Sequence, residues 1–168
     1  MFAISTLNDL LRAAGRSARG ITYLEGDNDE KSLSFAELEQ RALGILHHLQ
    51  KLGAKPGDKL ILLLASNEAF IDGFWAAVLG GIVPVPVAAG ISDEHRHKLL
   101  RIARQLGNPF IYTDRKTLTR MGRFATQAGA AREFGVLQQR AFLVDDLDDI
   151  SRAGTPHRAH NCAEIYLT

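Results

Sequence analysis

Lys59-Leu60-Ile61-Leu62-Leu63-Leu64-Ala65 begins with one lysine and continues as an unbroken apolar run. A strand with one face in water alternates apolar and polar side chains. This run does not, so it reads as a strand covered on both faces. Ser66 or Asn67 then caps a helix through Leu79 that carries Phe70, Ile71, Phe74, Trp75 and Val78 and is expected to be largely buried. Gly80-Gly81 end the helix, and Val83–Val87 resumes extended structure, with Pro84 and Pro86 marking a sheet edge or a strand end. A strand, a helix and a second strand in this order imply parallel pairing through a crossover.

The same alternation continues outward. Ser92 caps a helix with Asp93 and Glu94 in its first turn and Gly107 at its end. Phe110–Thr113 reads as a strand, Asp114–Ala128 as a helix, Ala141–Val144 as a strand and 145–161 as a polar connection. Toward the start of the chain, Ser34-Phe35-Ala36-Glu37 is a capping box opening a helix whose apolar face runs through Leu38, Ala42, Ile45, Leu46, Leu49 and Leu52 to Gly53. Before it, Ile21–Glu25 and Lys31–Leu33 flank a Gly26–Asp29 turn. Leu7, Leu10, Leu11 and Ala14 form a short amphipathic helix with Ser5 or Thr6 as cap and Gly15 beyond its end. The fold class expected is α/β: three layers, with a mostly parallel sheet flanked by helices, plus a small N-terminal helix and a hairpin over 21–34. Residues 35–168 supply the alternating helices and strands.

At 168 residues, with 46% hydrophobic and 23% charged side chains, the chain is long enough to bury an ordinary core. A formal charge of +1 gives no bulk argument for nucleic acid or an anionic membrane. The longest apolar runs, Leu60–Ala65 and Ile82–Ala89, are too short to span a bilayer, and residues 1–9 lack a signal peptide's apolar stretch. Cys162 is the single cysteine, which excludes an internal disulfide and fits a reducing, cytoplasmic setting.

Several clusters combine residue types that could carry chemistry, and each also has a plainer role. His157-Arg158-Ala159-His160 has a spacing a metal could use, yet Arg158 intervenes and no carboxylates converge, so solvated loop histidines are expected. His47 and His48 are adjacent on a helix and point to different faces. Asp145, Asp146, Asp148 and Asp149 follow a strand, where α/β proteins place ligand contacts, but a solvated loop with capping charges explains them. Cys162 has no base nearby in sequence and reads as a small buried residue. Arg96, Lys98, Arg101 and Arg104 form a basic helix face without interleaved aromatics, hence no nucleic-acid site. No G-x-x-x-x-G-K-[ST] or G-x-G-x-x-G loop occurs, and Ser66-Asn67-Glu68 places an acid where a phosphate would sit, which argues against a free-standing nucleotide-binding module. No metal site and no catalytic residue is expected in this chain.

Three segments carry a family resemblance. Leu33-Ser34-Phe35-Ala36-Glu37-Leu38 looks like a Leu-Thr/Ser-Tyr-x-Glu-Leu motif with Phe for Tyr. Leu79-Gly80-Gly81-Ile82-Val83-Pro84-Val85-Pro86 looks like Leu-x-Ala-Gly-x-x-x-x-Pro with Gly80 for Ala, and Gly53–Asp58 fits a Gly-x-x-x-Gly-Asp lead into the first core strand. Ala163-Glu164-Ile165-Tyr166-Leu167-Thr168 alternates as a half-buried strand does. Their order and spacing resemble the adenylate-forming (AMP-binding) superfamily: acyl- and aryl-CoA synthetases, fatty-acyl-AMP ligases and the adenylation domains of nonribosomal peptide synthetases. Val83–Val87 is more similar to the acyl-chain ligases.

The resemblance implies an enzyme that uses ATP and magnesium to activate a carboxylic acid as an acyl-adenylate, then passes the acyl group to CoA or an acyl carrier protein. It implies that Thr168 is the first residue of the family's glycine-rich phosphate loop. Residues 1–168 would then be an N-terminal α/β subdomain, a scaffold inactive alone with no cofactor expected bound. Phe74 and Trp75 are candidates for an acyl-pocket wall, against core packing. No nucleic acid is expected as a partner. A sheet separated from a neighbouring subdomain is expected to self-associate through exposed apolar surface or its last strand. A non-catalytic module that recruits an acidic carrier through the basic helix is the alternative.

Overall fold

The computed structural model describes residues 4, 6–25, 29–90, 92–147 and 149–157. Helix α1 (Leu7–Ala14) is capped by Thr6, whose side chain accepts from the Asp9 N–H while the Asp9 carboxylate accepts from the Thr6 N–H. Strands β1 (Gly20–Glu25) and β2 (Asp29–Ser34) form an antiparallel hairpin; of its expected turn at 26–29, residues 26–28 lie outside the described residues. Ser34 and Glu37 make the expected capping box for α2 (Phe35–Lys51).

From there the chain runs β3 (Lys59–Leu63), α3 (Asn67–Leu79), β4 (Val83–Pro86), α4 (Asp93–Leu106), β5 (Phe110–Thr113), α5 (Arg115–Gln127), α6 (Ala131–Gln138) and β6 (Ala141–Leu143). The sheet order is β4-β3-β5-β6, and every pairing is parallel. Pro84 and Pro86 therefore lie on the outermost of the described strands, with Pro86 at its end, where a missing N–H donor is tolerated.

Leu60 and Leu62 of β3 belong to a core shared with α2, α3 and the hairpin, whereas Ile61 and Leu63 belong to a second core with α4, α5 and α6. That division makes three layers. Leu60, Ile61 and Leu62 are fully buried, each stabilising the fold by about 1.5–3 kcal/mol. This is why the run needs no polar alternation.

Four details differ from the sequence reading. Strand β3 ends at Leu63 and β4 at Pro86; Ala65 and Val87 lie beyond them, and Asp114 is the cap of α5 rather than part of it. Asp29 belongs to β2 rather than to the hairpin turn, and β6 stops at Leu143, with Val144 beyond it. Helix α6 has no counterpart in the sequence reading: Ala130 offers no side-chain cap and Gly135 interrupts the helix, which is held by Phe134 and Leu137 in the second core.

The fourth difference is in α3, whose aromatic residues are half-buried while Asp72, Gly73, Ala76, Ala77 and Leu79 are fully buried. A Cβ on Gly73 would lie 2.5 Å from Cδ1 of the Tyr112 ring, so only a small residue lets the helix approach the sheet here. The bulky side chains are displaced to the flanks.

Beyond β6 a single 3-10 turn (Val144–Asp146) leads into a connection that crosses α2 and α3. The Gly154 N–H donates to the Leu43 carbonyl at 2.7 Å, and the His157 N–H donates to the Leu79 carbonyl at 2.8 Å. His157 packs on Gly81, whose φ of +66° is left-handed. It is half-buried and tied in, not a solvated loop histidine. His160, Cys162 and the expected strand at 163–168, with Thr168, lie outside the described residues.

Candidate functional site

In open parallel sheets, ligands gather at the carboxyl ends of strands where successive connections leave by opposite faces. Here that point lies between β3, which continues into α3 on the first face, and β5, which continues into α5 on the second. The crevice is closed by the chain itself. Thr113 is fully buried, and its Oγ1 donates to the Leu63 carbonyl at 2.7 Å, joining the two strand ends. The Ser66 hydroxyl accepts from the Ala69 N–H at the start of α3, and Asp114 accepts from the Thr117 N–H at the start of α5. Both helix N-termini that open on this edge are thus occupied by their own side chains.

Beside the crevice, charged groups from three elements converge. Lys31 of β2 donates to Glu68 at 2.7 Å, Arg41 of α2 forms an ion pair with the same carboxylate at 2.8 Å, and Arg41 Nε and Nη2 reach Asp72 Oδ2 at 2.9 and 2.5 Å. Asp72 is 1% exposed. Burial pushes its carboxyl up, and the hydrogen bonds and charge of Arg41 oppose that rise. Burial, then the charge of Asp72, also pushes the Tyr112 and Tyr23 phenols up, so both remain protonated.

Asp72 Oδ1 and the Tyr23 hydroxyl are buried with no hydrogen-bond partner among the described residues. Two cations against two anions, beside phenols that keep their protons, make a clasp between hairpin, α2 and α3; they supply no nucleophile. The residues of this clasp were missed in the sequence reading. The available signal was Asp72 itself, an acid inside the apolar stretch Phe70-Ile71-Asp72-Gly73-Phe74-Trp75.

The remaining candidates disperse. Phe74 and Trp75 meet edge to face, with ring centroids 5.9 Å apart, and pack at the margin of the first core. Asp145 accepts from the Arg115 N–H, Asp146 pairs with the Arg115 guanidinium, and Asp149 accepts from the Ser151 N–H. His48 Nε2 lies 2.6 Å from the Asp149 carbonyl, and its ring stacks on Phe142. His95 contacts its helix cap Ser92, and the His97 ring meets Phe124 at 4.8 Å.

In the basic face, Arg96 pairs with Asp93 and Arg104 with Glu133, leaving Lys98 and Arg101 without an ion-pair partner among the described residues. Among the described residues no three His, Cys, Asp or Glu side chains converge as metal ligands, and no helix is long and apolar enough to cross a membrane. The N-termini of α3 and α5 are capped by Ser66 and Asp114, and Asp145, Asp146 and Asp149 are engaged within the chain.

The fold has well-defined relatives. The family model described as AMP-binding enzyme matches residues 11–131. The nonribosomal peptide synthetase sidE of Aspergillus fumigatus is 30% identical over 114 residues, which is 68% of this chain and 5% of that protein. A putative acyl-CoA synthetase of Caulobacter vibrioides is 32% identical over 76 residues, 45% of this chain and 13% of that protein. The structure of McyG A-PCP complexed with phenylalanyl-adenylate superposes with a TM-score of 0.81 at 31% identity, covering 96% of this chain and 29% of that one. The chain therefore spans only a small part of the curated relatives it matches. With the capping box, the Gly80-Gly81 helix end and the parallel strands β3, β4 and β5 lying inside the matched span, the chain belongs to the AMP-binding enzyme family of adenylate-forming enzymes.

Proposed function

We propose that this chain is the scaffold subdomain of an ATP-dependent ligase that activates a carboxylic acid as its acyl-adenylate and delivers the acyl group to the thiol of CoA or a carrier protein. The observation that carries this reading is the family match over residues 11–131. Val83-Pro84-Val85-Pro86-Val87 supports an acyl rather than an amino-acid substrate. The chain itself contributes no catalytic group. Stabilising a transferring phosphoryl group requires preorganised donors and charge, and the sequence holds no phosphate-cradling glycine loop. In this reading Thr168 begins that loop, ATP and magnesium bind against residues outside the chain, and Phe74 and Trp75 back the acyl pocket from the flank of α3.

Carboxylate-dependent ATP–pyrophosphate exchange tests both halves of the proposal. The expected result is exchange from the product of the complete open reading frame with fatty, aryl or keto acids, and none from the 168-residue chain. Exchange by the chain alone overturns the scaffold role. Silence of the full product across all three acid classes overturns the acyl-activating one.

A further inference from the structure

Residues 92–140 hold ten Lys and Arg against four Asp and Glu, a formal +6, in a chain whose whole formal charge is +1; the other residues therefore carry −5. The fold collects that excess in one layer. Helices α4 and α5 pack against each other around Phe124, which meets the His97 ring at 4.8 Å and the Arg96 guanidinium at 5.7 Å. On the outside of this layer, Lys98 and Arg101 of α4, Lys116, Arg120 and Arg123 of α5, and Arg132 of α6 are all exposed. None of the six has an ion-pair partner among the described residues, unlike Arg96, Arg104 and Arg115. Lys116, Arg120 and Arg123 are spaced i, i+4, i+7 and so form one continuous stripe.

Unpaired cations on a shared face are a steering surface for an acidic partner. In this layer only Val136 is a large apolar side chain exposed among the described residues, so nothing anchors the face in a bilayer. Among the described residues of this layer no Phe, Tyr or Trp ring is exposed to stack a base. The face thus offers charge without insertion or stacking, which suits the carboxylate-rich surface of a folded protein. We infer that the α4–α5–α6 face docks an acidic carrier protein, the thiol-bearing partner of the reaction proposed above, on which this inference rests.

The test is fluorescence anisotropy of a labelled, strongly acidic acyl carrier protein, loaded with phosphopantetheine, titrated with the 168-residue chain. Affinity is expected to fall as salt shortens the screening length to about 8 Å at physiological ionic strength. Arg120→Glu/Arg123→Glu should weaken binding about tenfold or more, and Arg120→Gln/Arg123→Gln by less. Lys55→Glu/Arg152→Glu, which makes the same change in net charge away from this layer, should stay within about twofold of the parent.

Equal losses from the two double reversals, or no loss from Arg120→Glu/Arg123→Glu, would overturn the inference. So would tighter binding to anionic vesicles or duplex DNA than to the carrier, or displacement of the carrier by free CoA. Anisotropy reads docking without chemistry, so failure of pyrophosphate exchange refutes the acyl-activating reading and failure of the titration refutes the docking face.

Discussion

Arg41→Met should be the costliest single change at the buried charge cluster, and its cost should depend on pH. Methionine keeps much of the arginine stem and removes the guanidinium, so Asp72, 1% exposed, loses both hydrogen bonds to its Oδ2. A buried carboxylate without a partner either stays charged or takes a proton, and the less costly route sets the penalty. Protonating an ordinary aspartate, with a pKa of about 3.9, costs about 4 kcal/mol at pH 7. Breaking a buried pair by removing one partner runs about 3–5 kcal/mol.

The expected loss is therefore about 3–4 kcal/mol at pH 7, falling toward about 1.5 kcal/mol at pH 5. The sign follows from burial, which raises the Asp72 carboxyl in the folded protein. Its contribution is present at low pH and is lost as pH rises through the folded value, more steeply once Arg41 is gone. Asp72→Asn should cost less, because the amide is neutral and Arg41 keeps Glu68 at 2.8 Å. Urea unfolding followed by circular dichroism at both pH values, on each single variant and the double, gives the comparison. A cost for Arg41→Met that is equal at pH 5 and pH 7, or an Asp72→Asn cost matching it at pH 7, would refute the reasoning.

The glycines of α3 and α6 should behave oppositely. Gly73→Ala drives a Cβ against the buried Tyr112 ring, itself stacked on Phe142, and should lower stability by about 1–3 kcal/mol. Gly135→Ala meets nothing within 4 Å inside a helix and should raise stability by about 0.5–1 kcal/mol; denaturation midpoints of the same sign would contradict this. Ser34→Ala removes the cap of α2 and should cost about 1 kcal/mol in thermal unfolding. Hydrogen bonds from Ser34 hold the Glu37 carboxyl below the usual range, so the support it gives α2 is present above the ordinary glutamate pKa and is lost as pH falls through the lowered value. Melting temperatures measured from pH 6 to 3 should fall less steeply for Ser34→Ala than for the parent.

Much of this architecture was legible because its signals are local. Ser34 and Ser92 cap the helices that the sequence assigned to them, and Ser66 is one of the two caps it offered for α3, since a cap acts over three residues. The doubly covered strand was legible from its unbroken apolar run, and the end of β4 from Pro86. Helix α6 was not, because it lacks a cap and exists through Phe134 and Leu137. Nor was the orientation of α3: a helix apolar on every side has no preferred inward face in its own sequence. The contour of Tyr112 beneath it turned Gly73 inward and left Phe74 and Trp75 at the margin.

The sequence by itself determined the order of the elements other than α6, the parallel pairing of the core strands and the family resemblance, because caps, apolar runs and motif spacing are properties of neighbouring residues. Tertiary structure alone decided which charges meet. Arg41 and Asp72 lie 31 residues apart and became a buried pair only when α2 and α3 packed on one face of the sheet. The basic residues of α4, α5 and α6 became one surface only when those three helices packed on the other. Electrostatic coupling depends on distance through space and on burial, and neither can be read along a chain.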